Sequence, residues 1–121
     1  MNNNKDIPAL DETVRIIIRD PLGFGTGIMI DNVSFHTCPS DRSVRIYGMM
    51  RAVEGSATVH KEPEIYYYFL DKSSNVLHAG SGMHFGSFHI NRFAPFEITI
   101  ANDSLLRIWD KAERIVLFTS Y

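Results

Sequence analysis

Cysteine is almost missing from this chain: its 121 residues contain one, Cys38. A disulfide within the chain is impossible, which excludes the small scaffolds that depend on such bridges. No apolar run approaches the length needed to span a bilayer. The N-terminus, MNNNKDIPALDETV, has no apolar core of the kind a secretory signal requires. Neither sign of charge dominates. Twelve Lys and Arg against fourteen Asp and Glu give 12 − 14 = −2, so bulk charge draws the chain to neither nucleic acid nor an anionic membrane surface. No repeat, low-complexity tract or long block of like charge is present. The expectation is a cytoplasmic protein with no nucleic-acid and no membrane partner; an export signal removed from the chain would leave the same picture.

What is present has the size of one domain, with 45% apolar residues, enough to bury a core without metal or disulfides. Residues 1–12 are polar and hold Pro8, and read as a loose arm ahead of a single domain over 13–121. From there short apolar runs alternate with turn residues. Strands are expected at Thr13–Arg19, Ile28–His36, Ser43–Arg51, Glu64–Leu70, Asn75–Gly80, Met83–Ile90, Pro95–Ala101 and Arg114–Ser120. Asp20-Pro21, the Gly23, Gly25, Gly27 series, Cys38-Pro39-Ser40-Asp41 and Asp71-Lys72-Ser73-Ser74-Asn75 supply the turn chemistry between them. The runs are rich in Ile, Val, Tyr and Phe, which suit a pleated, half-buried surface. Phe96-Glu97-Ile98-Thr99-Ile100 alternates with period two, as expected of a strand with one face on a core and one in water. Many short strands at turn-punctuated spacing predict an all-β, antiparallel β-sandwich. One short helix near 103–111 is the exception, because Asn102, Asp103 and Ser104 suit an N-cap and Leu105, Ile108 and Trp109 follow at helical spacing.

Residues from about 28 to 100 carry an order of signals: Asn32-Val33-Ser34-Phe35, then Val44-Arg45-Ile46-Tyr47-Gly48, then Tyr68-Phe69-Leu70-Asp71 with Asn75-Val76-Leu77, then Ala94-Pro95-Phe96-Glu97-Ile98-Thr99-Ile100. This order resembles the FxLYD family and related bacterial immunoglobulin-like domains, over about three-fifths of the chain. It departs from that pattern in lacking a tyrosine just before Asp71. The resemblance implies a β-sandwich that acts as a structural or binding module, with no active site.

The run Ile65-Tyr66-Tyr67-Tyr68-Phe69-Leu70 sets Ile65, Tyr67 and Phe69 on one face of a strand and Tyr66, Tyr68 and Leu70 on the other. One set is expected to fill the core. The other offers contact surface, for which tyrosine is well suited. Arg45, Tyr47 and Arg51 are separated by even numbers and share a face if their strand is unbroken. Arginine with aromatics is a partner-surface composition and also the ordinary dress of an outer sheet face. Tyr66, Tyr68, Arg45, Tyr47 and Arg51 are therefore the candidate partner-binding residues.

Catalytic signals are sparse. Gly23-Phe24-Gly25-Thr26-Gly27 fits neither a dinucleotide fingerprint nor a P-loop, because a strand rather than a helix follows. His84 and His89, five apart, fall on opposite faces of a strand, and Gly80 and Gly82 interrupt the stretch between His78 and His84. His36 and His60 stand apart from these, and no converging metal-ligand set is expected. His36 and Cys38 lie two apart, but a reactive dyad needs spatial contact and an activated thiolate. Glu62 and Glu64 flank Pro63 and read as solubility charges. No catalytic, cofactor or metal residue is assigned.

The expected function is a non-enzymatic module acting through protein–protein contacts or self-association. A homo-oligomer joined through an edge strand is one form of it, with apolar Arg114–Ser120 suited if it lies at an edge. The alternative is a small enzyme or ligand-binding β-barrel using the Gly23–Gly27 loop and the histidines. A third reading, a small phage or mobile-element protein that blocks a host enzyme by surface mimicry, is compatible with the size and mild acidity.

Overall fold

The computed structural model describes residues 15–38, 43–53, 62–100, 108 and 111–120. Eight strands run in chain order: β1 (Arg15–Ile18), β2 (Ile28–Cys38), β3 (Ser43–Ala52), β4 (Glu64–Leu70), β5 (Val76–Ser81), β6 (Met83–His84), β7 (Phe93–Ile100) and β8 (Arg114–Ser120). A single helical turn, α1 (Phe88–Asn91), precedes β7. The strands form two four-stranded sheets, one in the order β1-β8-β4-β5 and one in the order β2-β3-β7-β6. We call them the first and second sheet. All neighbours are antiparallel except β1 and β8, which are parallel. The fold is thus an all-β sandwich, as the alternating pattern predicts.

Register decides which side chains meet. In the first sheet, Ile16, Ile115, Phe69 and His78 form one inward row, and Ile18, Leu117, Tyr67 and Gly80 form the next. In the second sheet, Ile30, Met50 and Ala94 share a row, as do Phe35, Ile46 and Ile98. The two inward sets join in one cluster of buried residues, with Phe69, Phe96 and Phe88 the largest fully buried members. Burying each such ring removes enough apolar surface to contribute about 2–3 kcal/mol.

Glycines mark the two tightest places in this packing. Phe96 lies across Gly48, where a Cβ would approach its ring to 2.4 Å. At Gly82 the chain leaves the first sheet as β5 and enters the second as β6, so one bent strand serves both. A Cβ there would lie 2.4 Å from the Glu97 carbonyl oxygen and 2.6 Å from Ile98. Sheet-switching corners of this kind close one side of a sandwich.

Three expectations need correction. Met83–Ile90 is not one strand: pairing stops at His84, and Phe88–Asn91 forms α1. Ser87 caps that turn by accepting from the Ile90 N–H at 3.3 Å, and Arg92 ends it in the left-handed region. Arg114–Ser120 does not lie at an edge, because β8 is held between β1 and β4. Glu62 is more than a solubility charge: its carboxylate accepts the Phe88 N–H at 3.0 Å and the Ser87 hydroxyl at 2.8 Å. The expected helix near 103–111 falls mostly outside the described residues. Ile108 within it is helical, and its carbonyl accepts the Lys111 and Ala112 N–H groups. The 1–12 arm also lies outside them. Among the described residues no helix is long and apolar enough to cross a membrane.

Candidate functional site

The outward face of the first sheet carries three rows. Arg15, Arg114, Leu70 and Val76 form one; Ile17, Val116, Tyr68 and Ala79 form the second; Phe118, Tyr66 and Ser81 form the third. A strand surrounded by solvent on this side would carry polar residues. Here the centre of the face is apolar and aromatic. Tyr66 stacks on Phe118 with ring centroids 5.4 Å apart and planes 22° from parallel. Tyr68 tilts against the other flank of Phe118 at 5.7 Å. The Arg19 guanidinium sits 4.1 Å from the Phe118 ring centroid, within cation–π range. These three rings are half-buried, against one another and not in the core. Val116, in the row of Ile17 and Tyr68, points outward and is nonetheless buried.

Polar groups fix this face at both ends. The Tyr66 hydroxyl donates to the Glu64 carboxylate. That hydrogen bond, then desolvation and the negative charge of Glu64, raise the Tyr66 hydroxyl above its usual pKa. At the other end the Asp71 carboxylate accepts the Ser73 and Asn75 N–H groups, both at 2.9 Å, which closes the β4–β5 turn. Ser74 there takes a positive φ of 66°. The Arg114 guanidinium donates to the Asp71 carbonyl at 3.3 Å and to the Ser74 hydroxyl at 2.7 Å. The turn is thereby tied to β8.

Tyr67, between the two outward tyrosines in sequence, points the other way. It is 5% exposed and its hydroxyl hydrogen-bonds with His78 Nε2 at 3.0 Å. Burial raises its hydroxyl pKa.

The remaining candidates lie on the far side of the molecule. Arg45, Tyr47 and Arg51 share the outward face of the second sheet, as their even spacing requires. They are not brought together with Tyr66 and Tyr68. Arg51 Nε donates to the Asp31 carboxylate at 3.0 Å, so its charge is already matched. Tyr47 packs edge-on against His36, 5.3 Å between centroids.

The glycine-rich loop has a different use from the one its glycines suggest. The Gly25 and Thr26 N–H groups donate to the Asp20 carboxylate at 3.0 and 2.9 Å, and the Thr26 hydroxyl donates to it at 3.2 Å. The loop's own aspartate occupies the place an anion would take. The Thr26 N–H bond is the largest of several effects that hold the Asp20 carboxyl below its usual pKa. The Gly23 N–H closes the turn onto the Asp20 carbonyl, and positive φ values of 74° and 79° at Gly23 and Gly27 make the path possible.

The histidines are dispersed. His36 is on an outward face and hydrogen-bonds with the Ser34 hydroxyl at 3.2 Å. His78 is taken by Tyr67. His84 hydrogen-bonds with the Gly86 carbonyl through Nδ1 at 3.0 Å and lies 3.9 Å from Glu62. His60 and the His89 and Cys38 side chains lie outside the described residues. Among the described residues no group of three His, Cys, Asp or Glu converges to hold a metal.

Two members of the aromatic group, Phe118 and Arg19, were not among the sequence candidates. Comparison of the chain with protein-family models, with curated proteins and with solved structures found no match.

Proposed function

We propose that the chain is a non-enzymatic interaction module that binds another polypeptide through the outward face of its first sheet. Tyr66, Tyr68 and Phe118 are the anchors, with Arg19 beside them. One observation carries this reading: the Tyr66–Phe118–Tyr68 group is assembled on the solvent side of the sheet, where core packing does not account for it. Rings already held by one another lose little freedom on binding, and tyrosine and arginine are the residues that most often dominate protein contacts. A net charge of −2, with Glu64 at the rim of this face, favours a polypeptide over nucleic acid.

The test is affinity capture from the cells that express the protein. Wild type is compared with a Tyr66→Ser/Tyr68→Ser double variant and with a Tyr47→Ser variant on the opposite face. A partner held by wild type and by Tyr47→Ser, but lost from the double variant at unchanged melting temperature, is the expected outcome. Equal retention by all three proteins refutes the assignment of the face.

A further inference from the structure

An exposed sheet edge is a row of backbone donors and acceptors, a template on which another extended chain can pair. The four described sheet edges are not alike. β1 has four residues, begins at Arg15 and runs out into Arg19, Asp20 and Pro21. β6 has two residues. β2 is bent by an irregularity between Asp31 and Ser34, with Asn32 at a φ of 54°, and the Pro21 carbonyl accepts its Ile30 N–H. Each of these carries a device that blunts edge pairing: shortness, flanking charge, a bulge or cover.

β5 carries none beyond a bulge at its start. Its sequence is VLHAGS, with no Asp, Glu, Lys or Arg. The Leu77 bulge lies between the pairs Phe69–His78 and Leu70–Val76, which leaves Ala79, Gly80 and Ser81 in regular register. The Gly82 N–H donates to the Ile65 carbonyl of β4. By the alternation of an antiparallel ladder, Gly80 and His78 also turn their backbone groups to β4, and Ala79 and Ser81 turn theirs away. Ala79 and Ser81 are exposed, and among the described residues nothing meets those outward groups. Gly80 has no side chain because the Tyr67 ring fills its place, a Cβ there lying 2.7 Å from the hydroxyl. The edge is therefore small-sided and uncharged, with Tyr68 and Tyr66 standing next to Ala79 and Ser81 on the outward face.

We propose that a second copy of this chain adds at this edge, β5 to β5 and antiparallel, about a two-fold axis at Gly80. That axis sets Ala79 opposite Ser81 of the second copy and Ser81 opposite its Ala79. All four outward N–H and C=O pairs then meet, without use of the Leu77 bulge. The register is its own complement, so one edge serves both copies about a two-fold axis. No like charges meet across the axis, since the strand bears none. Two first sheets become one eight-stranded sheet, and the aromatic faces of both copies lie on the same side of it. The inference rests on the reading of the chain as an interaction module and names a partner and a place for it.

Sedimentation velocity of the full chain from about 1 μM to about 1 mM covers the range of so small a contact. The wild type is expected to pass from monomer to dimer within it. Ala79→Pro removes an outward N–H without touching the β4 ladder, and Ala79→Lys places a charge at the edge. Each is expected to raise the dissociation constant roughly tenfold or more, through loss of the symmetric hydrogen bonds or through repulsion. Amide exchange supplies the signature. Ala79 and Ser81 should slow as concentration rises, while Gly80 is slow throughout. If Ala79→Pro proves misfolded by circular dichroism, Ala79→Lys alone decides, since it keeps the native backbone. A monomer across the whole range overturns the edge proposal and leaves the aromatic face to its own test. A dimer that both variants form as tightly as wild type also overturns it, and places the contact elsewhere.

Discussion

Replacing Gly82 by alanine strikes the point where one strand passes from the first sheet to the second. The added Cβ would lie 2.4 Å from the Glu97 carbonyl oxygen, 2.6 Å from Ile98 Cγ1 and 3.0 Å from Ile65 Cγ2. Ordinary contacts are about 3.5–4.0 Å, so relief demands a shift of roughly 1 Å. None of the three neighbours yields easily. The carbonyl belongs to the β7 backbone, and Ile98 and Ile65 are fully buried, one in each sheet. Overpacking of this kind costs about 1–3 kcal/mol, against which the stiffer unfolded chain of the alanine variant returns about 0.4–1 kcal/mol. The steric cost should fall at the upper end, leaving a net loss of about 2 kcal/mol. For a chain of this length that lowers Tm by roughly 6–12 °C. Thermal unfolding followed by circular dichroism reads it directly. Gly25→Ala is the control, because a Cβ there meets only the Asp20 carboxylate, no closer than 3.3 Å; its stability should stay within about 1 kcal/mol of wild type. A Gly82→Ala variant that melts with or above the wild type would refute the sheet-switching corner.

Two further outcomes follow from the buried pair and the loop. Tyr67→Phe leaves His78 Nε2 without its partner and should cost about 1 kcal/mol. Because burial raises the Tyr67 hydroxyl above 10.0 in the folded state, its contribution to stability is complete below pH 10 and is lost as pH rises through the folded value; the alkaline fall in Tm should be shallower in Tyr67→Phe. Asp20→Asn should speed amide exchange at Gly25 and Thr26 without moving exchange in β4. The Asp20 carboxyl lies below 3.8 in the folded state, so in the wild type the protection of those two amides should hold above pH 3.8 and fade as pH drops through the folded value. Unchanged exchange at Gly25 and Thr26 would refute the clamp.

Strands were legible because their residues alternate locally. Phe96, Ile98 and Ile100 announce their buried face, and Asp71 to Asn75 announce a turn whose bonds are made within five residues. Strand order was not legible, because it is set by which non-local partners fill the core. Nothing within Arg114–Ser120 says that β1 and β4 flank it. The run Ile115-Val116-Leu117 is apolar on both faces, and its outward Val116 shares a row with Ile17 and Tyr68, which lie far away in sequence. The break in Met83–Ile90 did leave a sign, Ser87 ahead of Phe88-His89-Ile90-Asn91, but one helical turn gives too short a period to stand out from alternation. At the candidate site, parity correctly separated Tyr66 and Tyr68 from Tyr67. It could not say that Arg45, Tyr47 and Arg51 face the opposite side of the molecule, since parity within one strand does not report which sheet the strand joins. Phe118 was hidden in an apolar run that reads as core throughout. Its register with Tyr66 reveals it.

Three consecutive tyrosines allow the most direct test of the whole account. Hydroxyl-radical footprinting, resolved to single residues by mass spectrometry, reads solvent access at Tyr66, Tyr67 and Tyr68 in one peptide. Tyr66 and Tyr68 should oxidise severalfold faster than Tyr67 in the native protein, with the three rates converging on unfolding. A Tyr67 as reactive as its neighbours, or a Tyr66 and Tyr68 as protected as Tyr67, would contradict the assignment of an aromatic contact face outside a sandwich core.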